Sequence, residues 1–463
     1  MDYACFNGMV LSRPEVIKLA QMNGLTPSQL NDSFWQAFTC QPMIERRGNH
    51  LRCQRCGNRQ RQSFACLPRT STEKERYYCL NCLVMGRQIE GQDLLILKEK
   101  APIPIMAGPL LAWQGQLSPQ QAQVSKELVE SLKDPRPHLV QAVTGAGKTE
   151  MVFAVVEAVL QEGGRVALAS PRVDVIQELA PRFKEAFPVV SQHVRYGGQS
   201  FQVGYAALIL ATTHQLWRFK SAFDLVIVDE IDAFPFRGDA SLHDAVASAI
   251  CPKGKCIYLT ATPDIHLLKA VRRGKVIQSI LPARYHRHSL VEPQFIWLGD
   301  WRQAIEERQE KSRLFDQVKY FVGLPGAKLI FMPHIGLAKS LFAWLKDSLG
   351  LKETWACVHA GDPERKEKVQ ALRSGDLVGL ISTTILERGV TITQAQVLVI
   401  GAEDTIFNAA SLVQIAGRVG RKPTYPTGYL AFGHYGASWA MKQARRTIRH
   451  MNQLARQRGL LDD

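Results

Sequence analysis

The sequence predicts an α/β protein with two tandem three-layer domains, preceded by a small module stapled by a metal ion. Short apolar runs alternate with helical patterns twice in succession, each time over about 170 residues, which is typical of parallel sheets covered by helices on both faces. Ahead of them, Cys53, Cys56, Cys79 and Cys82 form two Cys-x-x-Cys pairs. These two observations set the order of the predicted parts.

Composition indicates a globular protein with a polyanionic partner. The chain has 463 residues, of which 46% are hydrophobic and 21% are charged, as in ordinary folded domains. Lysine and arginine number 57 against 42 acidic residues, a formal net charge of +15. Such an excess favours nucleic acid or an anionic membrane face as partner, with plain solubility charge as the alternative.

The expected location is the cytoplasm. The first residues show no basic stretch followed by an apolar core, and no apolar run reaches the about 18 residues that a membrane helix needs. Ten cysteines are few for this length, and four of them have metal-ligand spacing, which fits a reducing compartment.

Shifts in composition divide the chain into five predicted parts. They are an amino-terminal segment without assigned chemistry (1–45), the four-Cys module (46–100), a linker with proline and glycine (101–116), the first α/β domain (117–288) and the second α/β domain with a basic carboxy-terminal helix (289–463). The predicted strands are 137–142, 166–170, 207–211, 225–229 and 256–260 in the first domain and 295–298, 328–332, 355–359, 378–382 and 397–400 in the second. Predicted helices include 150–161, 364–373 and 409–416.

Residues 142–149, with the sequence AVTGAGKT, have the pattern of a phosphate-binding loop. A predicted strand precedes them and a predicted helix follows, which is the context such a loop requires. Lys148 would reach the terminal phosphates of a nucleotide, and the Thr149 hydroxyl would bind Mg²⁺. Ala142 stands where the general pattern has glycine. The backbone that would cradle the phosphates belongs to Thr144, Gly145, Ala146 and Gly147.

An apolar strand that ends in carboxylates predicts the second half of a nucleotide site. Asp229 would bind Mg²⁺, and Glu230 would align or deprotonate the attacking water. The hydroxyls of Thr260 and Thr262 are predicted to hydrogen-bond the carboxylates of residues 229–232, or else they form an ordinary turn before a helix.

Gln121 has two competing interpretations. Its amide could pair with the adenine edge of ATP, because an amide both donates and accepts. Ser118 and Gln121 also have the spacing of a capping box, with proline at the first helical position. The sequence leaves both open.

The second domain carries two candidate arginine fingers. Arg418 and Arg421 are predicted to lie three apart on a short helix and to present one cationic face, which would stabilise charge during phosphoryl transfer. Gly389 lies in the segment 382–390, which could hold a nucleic-acid phosphate and help order the nucleotide cleft. Alone, that segment would be an ordinary loop.

The four cysteines predict one tetrahedral Zn²⁺ with a structural role, since four thiolates leave no open coordination position. Cys66 and His50 are less favoured substitute ligands. Several arginines surround the knuckles, with Phe64, Tyr77 and Tyr78 interleaved. Arginines for phosphates and aromatic rings for bases are typical of single-strand binding, and a solvated basic surface is the alternative.

Eight segments occur in the order found in superfamily 2 helicases and translocases, so residues 117–432 resemble the two RecA-like domains of that superfamily. The resemblance implies that ATP binds between two lobes and that Pro171, Arg172 and the stretch 212–214 touch the nucleic-acid backbone. Ala142 and the sequence Asp-Glu-Ile-Asp are departures that remove no catalytic side chain. The segments are 117–121, 142–149, 170–172, 212–215, 229–232, 260–262, 382–390 and 414–421.

A four-Cys module ahead of such a core, with the sequences DEIDAFP at 229–235 and TTILERGV at 383–390, resembles the ComFA family of late competence proteins. The resemblance implies a bacterial cytoplasmic motor at the inner face of the membrane, which pulls transforming single-stranded DNA through the ComEC channel. It also implies ComFC as a partner and ATP as the sole small-molecule substrate. The alternatives are a PriA-like restart helicase, whose family places its zinc cysteines in the second lobe, and a zinc-stapled adaptor without turnover.

Overall fold

A computed structural model describes residues 3–67, 75–103, 108–351, 354–383 and 392–462. Contacts divide the chain into two compact units, one made of residues 1–140 and 149–279, the other of residues 141–148 and 280–463. The division falls at 279/280, close to the predicted domain boundary at 288. The phosphate loop itself therefore clusters with the second unit.

The amino-terminal segment and the four-Cys module share one small sheet. Its order is β1-β7-β2, and both pairs are antiparallel, with Val10 opposite Ile96 and Cys40 opposite Leu95. Strands from both sides of residue 45 build this sheet, so the boundary predicted there does not separate two bodies. The elements are β1 (Val10–Ser12), α1 (Arg13–Met22), α2 (Asp32–Gln36), β2 (Phe38–Pro42), β3 (Ile44–Arg47), β4 (His50–Cys53), β5 (Phe64–Cys66), β6 (Tyr77–Cys79) and β7 (Asp93–Leu97).

A seven-stranded sheet forms the first α/β domain, in the order β10-β11-β9-β12-β13-β8-β14. Every residue of β8, β9 and β11 is buried, as expected for strands covered on both faces. The elements are α3 (Pro119–Glu130), β8 (His138–Ala142), α4 (Lys148–Met151), α5 (Phe153–Gln161), β9 (Val166–Ser170), α6 (Val173–Ala186), β10 (Gln192–Arg195), β11 (Leu208–Thr212), a 3-10 helix (Thr213–Arg218), β12 (Phe223–Asp229), α7 (Ala240–Ala249), β13 (Ile250–Thr260), α8 (Ile265–Arg272) and β14 (Ile277–Leu281).

The five strands predicted in this domain are all present, and β9 has the predicted bounds. Strands β10 and β14 were not predicted, because neither is a continuous buried run: their burial alternates or is partial. The predicted helix 150–161 is wrong in its continuity, since Val152 separates α4 from α5.

The amino-terminal module packs onto the first α/β domain through a shared core. Phe6 and Met9 belong to the same hydrophobic cluster as Phe219 and Phe223. The backbone segments at Gly8 and Ala222 come so close that a Cβ at Gly8 would lie 2.4 Å from the Ala222 Cβ, and φ at Gly8 is +64°. Only glycine fits this contact.

An ion cluster adds to that contact. Glu15 of α1 accepts from Arg55 of the cysteine knuckle at 2.7 Å and also from Arg218, which follows the stretch 212–215. The Arg55 side chain is 0% exposed and that of Arg218 is 12% exposed. Burial alone would raise the pKa of Glu15, but the charges of Arg55 and Arg218 outweigh it and lower the pKa to about 2.

We expect Glu15→Gln to lower the free energy of unfolding by about 3 kcal/mol, because the fully buried guanidinium group of Arg55 and the largely buried one of Arg218 lose their counter-charge. Glu45→Gln is the control, since its partner Arg47 is 84% exposed and such a pair contributes at most about 1 kcal/mol. Urea unfolding at neutral pH measures both. In the wild type, a lowered pKa stabilises the fold above the usual value of 4.5, and this contribution falls away as the pH drops toward 2. Equal losses in the two variants would contradict this account.

The second α/β domain has a six-stranded sheet in the order β15-β20-β19-β16-β18-β17, in which all neighbours are parallel. The five predicted strands are present, and α13 has the predicted bounds; β20 was not predicted. The elements are β15 (Gln294–Trp297), α9 (Trp301–Glu306), α10 (Arg313–Val322), β16 (Ala327–Phe331), α11 (Ile335–Leu349), β17 (Trp355–Val358), α12 (Arg365–Ser374), β18 (Gly379–Ser382), β19 (Ala395–Ile400), α13 (Ala409–Ala416), β20 (Leu430–His434) and α14 (Trp439–Gln457).

The basic carboxy-terminal helix α14 is amphipathic. Its buried face includes Met441, Ala444 and Ile448, at helical spacing. Its basic face is partly engaged, because Arg449 donates to Glu292 at 2.6 Å and the Arg445 guanidinium lies 4.0 Å from the centre of the Phe295 ring. Within the described residues, no helix combines the length and the apolar character needed to cross a bilayer.

Candidate functional site

The phosphate loop forms a tight turn between β8 and α4. Gly145 has φ +81° and Gly147 has φ +73°, conformations that other residues rarely adopt. The predicted departure, Ala142, is the last residue of β8 and is fully buried, so its methyl group packs in the core. Helix α4 begins at Lys148. The local conformation is therefore the one that the glycine spacing predicts.

A buried arginine that the sequence analysis missed, Arg284, holds this loop within the second unit. Its side chain is fully buried. Nε donates to the Thr144 carbonyl at 3.2 Å, and Nη2 donates to the Gly417 carbonyl at 3.2 Å. Burial, together with the charge of Arg421, lowers the pKa of Arg284 to about 10. Arg284 thus joins the phosphate loop to the segment that carries the predicted arginine fingers.

That segment differs from its prediction. Helix α13 ends at Ala416; Arg418 lies in the turn that follows it and Arg421 directly after that turn, so the two do not share a helical face. The helix stops because glycines interrupt it, and Gly420 has φ +66°. Arg418 is buried, whereas Arg421 is partly exposed. The prediction of one cationic helix face is wrong, while the role of both arginines as fingers stays a prediction.

Gly417 gives a test of this contact. A Cβ at Gly417 would lie 2.0 Å from Thr144 Oγ1 and 2.6 Å from Thr144 Cβ, so Gly417→Ala must displace the phosphate-loop backbone. Such overpacking costs about 1–3 kcal/mol, and we expect ATP hydrolysis to fall about tenfold or more. Gly436→Ala is the control, because a Cβ there meets no atom within 4 Å. Steady-state ATPase rates compare the two variants, and wild-type rates in Gly417→Ala would contradict the arrangement.

The acidic segment lies at the end of β12, in the first unit. Glu230 has φ +55°, a strained conformation for a residue with a side chain, and its N–H donates to Asp229 Oδ1 at 2.8 Å. Such strain is concentrated at functional positions in proteins. It is consistent with a Glu230 side chain that is held in a fixed direction.

The predicted hydroxyl contacts to this segment are confirmed. Thr260 donates to one oxygen of Asp232 at 2.8 Å, and Thr262 donates to the other at 2.7 Å. Asp232 and Thr260 are buried. These hydrogen bonds therefore connect the end of β13 to the turn after β12, so a displacement of one segment must displace the other.

Thr149, the predicted Mg²⁺ ligand, contacts a second arginine that the sequence analysis missed. Arg182 of α6 donates to Thr149 Oγ1 at 3.1 Å and also pairs with Glu150. A hydroxyl keeps a second lone pair beside one such donor, so the contact is compatible with metal binding. Magnesium binding by Thr149 and Asp229 stays a prediction.

Several other predicted contacts can be placed. Gln121 forms the capping box, because its Oε1 accepts from the Ser118 N–H at 2.8 Å; an adenine contact stays a prediction. Arg172 donates to Asp174 at 3.2 Å, and the Thr213 side chain is fully buried, which disfavours a hydroxyl contact from Thr213 to nucleic acid. Gly389 lies outside the described residues.

The four predicted zinc ligands converge in the module. The sulfur atoms of Cys53, Cys56, Cys79 and Cys82 all lie within 4.8 Å of one another, and all four residues are buried. Two sulfur–sulfur distances are 3.7 and 3.6 Å. A tetrahedron with zinc–sulfur bonds of about 2.3 Å has edges of about 3.8 Å, so this donor set fits Zn²⁺. Cys66 is exposed on β5 and is not part of the cluster.

Two of the three aromatic rings that the sequence predicts as base-stacking residues are buried in the module. Phe64 and Tyr77 are buried, and the Arg61 guanidinium lies 4.2 Å from the centre of the Tyr77 ring. The Arg87 guanidinium lies 5.5 Å from the Tyr78 ring. These rings pack against the module's own arginines. The prediction that bases stack on Phe64 and Tyr77 is therefore wrong.

Comparisons with known proteins agree with this architecture. Three family models match: DEAD/DEAH box helicase over residues 118–271, competence protein ComFA N-terminal domain over 25–96 and helicase conserved C-terminal domain over 317–423. Competence protein ComFA of Bacillus subtilis (strain 168) is 38% identical over 418 residues, which cover 90% of this chain and 89% of that protein. Competence protein ComFA of Streptococcus pneumoniae (strain ATCC BAA-255 / R6) is 38% identical over 432 residues, 93% of this chain and 97% of that protein.

A solved structure, S. cerevisiae Dbp5 bound to RNA and ADP BeF3, is similar in fold with a TM-score of 0.53 at 15% identity, covering 72% of this chain and 87% of that chain. The predicted fold class, two tandem RecA-like domains, is confirmed. Together with the helicase models, the fold defines an ATP-dependent helicase or translocase, an ATPase that acts on nucleic acid. Within that class, the chain belongs to the ComFA family of competence proteins.

Proposed function

We propose that the chain is a single-stranded DNA translocase that uses ATP to drive transforming DNA into the cytoplasm during natural competence. The observation that carries this proposal is the phosphate loop with Lys148, in a chain whose family is defined by competence. The net charge of +15 supports binding to a polyanion such as DNA. Motion along single-stranded DNA, rather than duplex unwinding, is the finer part of the proposal.

In the proposed reaction, Lys148 binds the β- and γ-phosphates while the amides of residues 144–147 surround them. Thr149 and Asp229 bind Mg²⁺, which neutralises phosphate charge when it is present. Glu230 accepts the proton of the attacking water. Arg418 and Arg421 balance the charge that develops on the transferred phosphoryl group.

The four-Cys cluster is proposed to hold one structural Zn²⁺. The compact buried donor set, which has no fifth ligand among the described residues, supports a closed site without catalysis. Its place in the shared core suggests that the metal stabilises the whole first unit.

The partners belong to the same proposal. The ComEC channel would deliver the strand at the inner face of the membrane, and ComFC would act beside this chain; membership of the ComFA family supports both proposals. ATP is the sole small-molecule substrate in this scheme.

ATP hydrolysis with and without oligo(dT) tests the proposal. We expect single-stranded DNA to raise the rate severalfold, and we expect little unwinding of a forked duplex. A rate of ATP hydrolysis that is the same with and without single-stranded DNA would contradict a translocase. Efficient unwinding of the forked duplex would favour a PriA-like restart helicase. If the protein hydrolyses no ATP either with or without oligo(dT), the result would favour the alternative of a zinc-stapled adaptor without turnover.

A further inference from the structure

A groove of about 1020 Å³ runs through the first unit between the cysteine knuckles and the first α/β domain. It is lined by residues of the cysteine knuckle and those that follow it, by Trp217, and by the loop that follows the acidic segment. The volume exceeds the about 300–1,000 Å³ of small-molecule pockets. A groove of this size has room for a chain-like ligand.

The charge of the lining selects a polyanion. Five basic residues line the groove against two acidic ones, and one of the acids, Asp239, is engaged as the cap of α7, where it accepts from the Ser241 N–H at 2.9 Å. Arg52 and Arg59 are exposed, and no ion pair to either occurs among the described residues. The basic residues are Arg52, Arg55, Arg59, Lys220 and Arg237.

Arg55 adds an independent observation. Its side chain is 0% exposed, and only Nη2 is engaged, by Glu15 and by the Val10 carbonyl. Nε and Nη1 are buried and have no hydrogen-bond partner among the described residues. A native protein seldom leaves buried guanidinium nitrogens without an acceptor, so a lining residue in this state indicates an acceptor that the described residues do not supply.

An exposed aromatic ring also lines the groove. Phe234 is 84% exposed, the most exposed of the large hydrophobic residues described. It lies four residues after Glu230 and directly follows the turn in which the Ala233 N–H donates to the Glu230 carbonyl at 2.9 Å. An exposed ring beside guanidinium groups is the combination by which proteins bind single strands without sequence preference, through stacking and phosphate contacts.

We propose that this groove binds a segment of single-stranded DNA, with Arg52 and Arg59 on backbone phosphates and Phe234 stacked on a base. The inference rests on the proposed function and adds to it a site that the zinc module and the motor domain build together. A base stacked on Phe234 would contact the residue that directly follows the turn of Glu230, which gives DNA a short route to the acidic segment.

Two variants separate the two kinds of contact. Binding of fluorescein-labelled oligo(dT), followed by anisotropy at several salt concentrations, is the measurement. Arg52→Ala with Arg59→Ala should weaken binding about tenfold or more and should reduce the slope of log K against log salt by about 1.4, because each phosphate contact on a single strand contributes about 0.7. Phe234→Ala should weaken binding about tenfold with an unchanged slope, since stacking releases no counterions.

The matched control is Arg47→Ala with Arg87→Ala, which removes the same charge from exposed module arginines that do not line the groove. Zinc content and melting temperature are measured on every variant. Groove variants that fold as the wild type does and bind no more weakly than the control would overturn the inference while leaving the translocase intact. A wild type that neither binds oligo(dT) nor responds to it would instead overturn the proposed function.

Discussion

Lys148→Ala should lower the rate of ATP hydrolysis by about 10²–10³-fold, the loss typical of removing one preorganised charge from a reacting phosphoryl group. Lys148 begins α4 directly after the turn at Gly145 and Gly147, so its ammonium is carried by the phosphate loop itself. No neighbouring lysine in the loop can replace it. The fold should remain intact, because Lys148 is partly exposed and contributes no core packing.

Steady-state ATPase rates with saturating oligo(dT) measure this loss. Lys126→Ala is the control, since Lys126 is 70% exposed on α3 and only pairs with Glu130. We expect the control to retain the wild-type rate, and both variants to melt at the wild-type temperature. A Lys148→Ala protein that hydrolyses ATP within a few-fold of the control would show that the loop does not carry the chemistry.

Cys53→Ser should remove the metal and destabilise the entire first unit. Structural zinc contributes about 10–16 kcal/mol in small zinc-binding peptides, so losing one of four thiolates is expected to unfold the knuckles. Cys53 belongs to the hydrophobic cluster that also contains Phe219 and Phe223. The damage should therefore spread from the module into the sheet of the first α/β domain.

Metal analysis and thermal unfolding test this prediction. The wild type should contain about one Zn²⁺ per chain, and Cys53→Ser or Cys82→Ser should contain none and melt at a much lower temperature. Cys66→Ser is the matched control, because Cys66 lies in the same module but is exposed and outside the cluster. Full zinc occupancy in Cys53→Ser would contradict the assignment of the four ligands.

Local patterns in the sequence predicted much of the fold. The phosphate loop, the acidic strand end and the cysteine pairs each combine residue type with fixed spacing, and the structure has the loop turn, the strand end and the sulfur cluster where those spacings indicate. Strand β9 and helix α13 match residue for residue, because long buried runs and capped helices are strong local signals.

The remainder depends on contacts between distant residues. Arg284 lies more than 130 residues from Gly417 and Gly420, and its sequence neighbourhood has no motif that indicates a role. Glu15 closes the capping box of α1 with Ser12, and it also neutralises Arg55 and Arg218, which come from separate parts of the chain. The stacking prediction for Phe64 and Tyr77 was wrong for the same reason, since composition carries no information on which rings are covered.

Displacement of streptavidin from biotinylated oligo(dT) tests most directly whether ATP cleavage moves this protein along a strand. With the biotin at one end of the strand, the wild type should release streptavidin in an ATP-dependent manner, and Lys148→Ala should release none. Moving the biotin to the other end should abolish or greatly slow the release, because a translocase has one direction. DNA-stimulated ATP hydrolysis without displacement from either end would contradict the account.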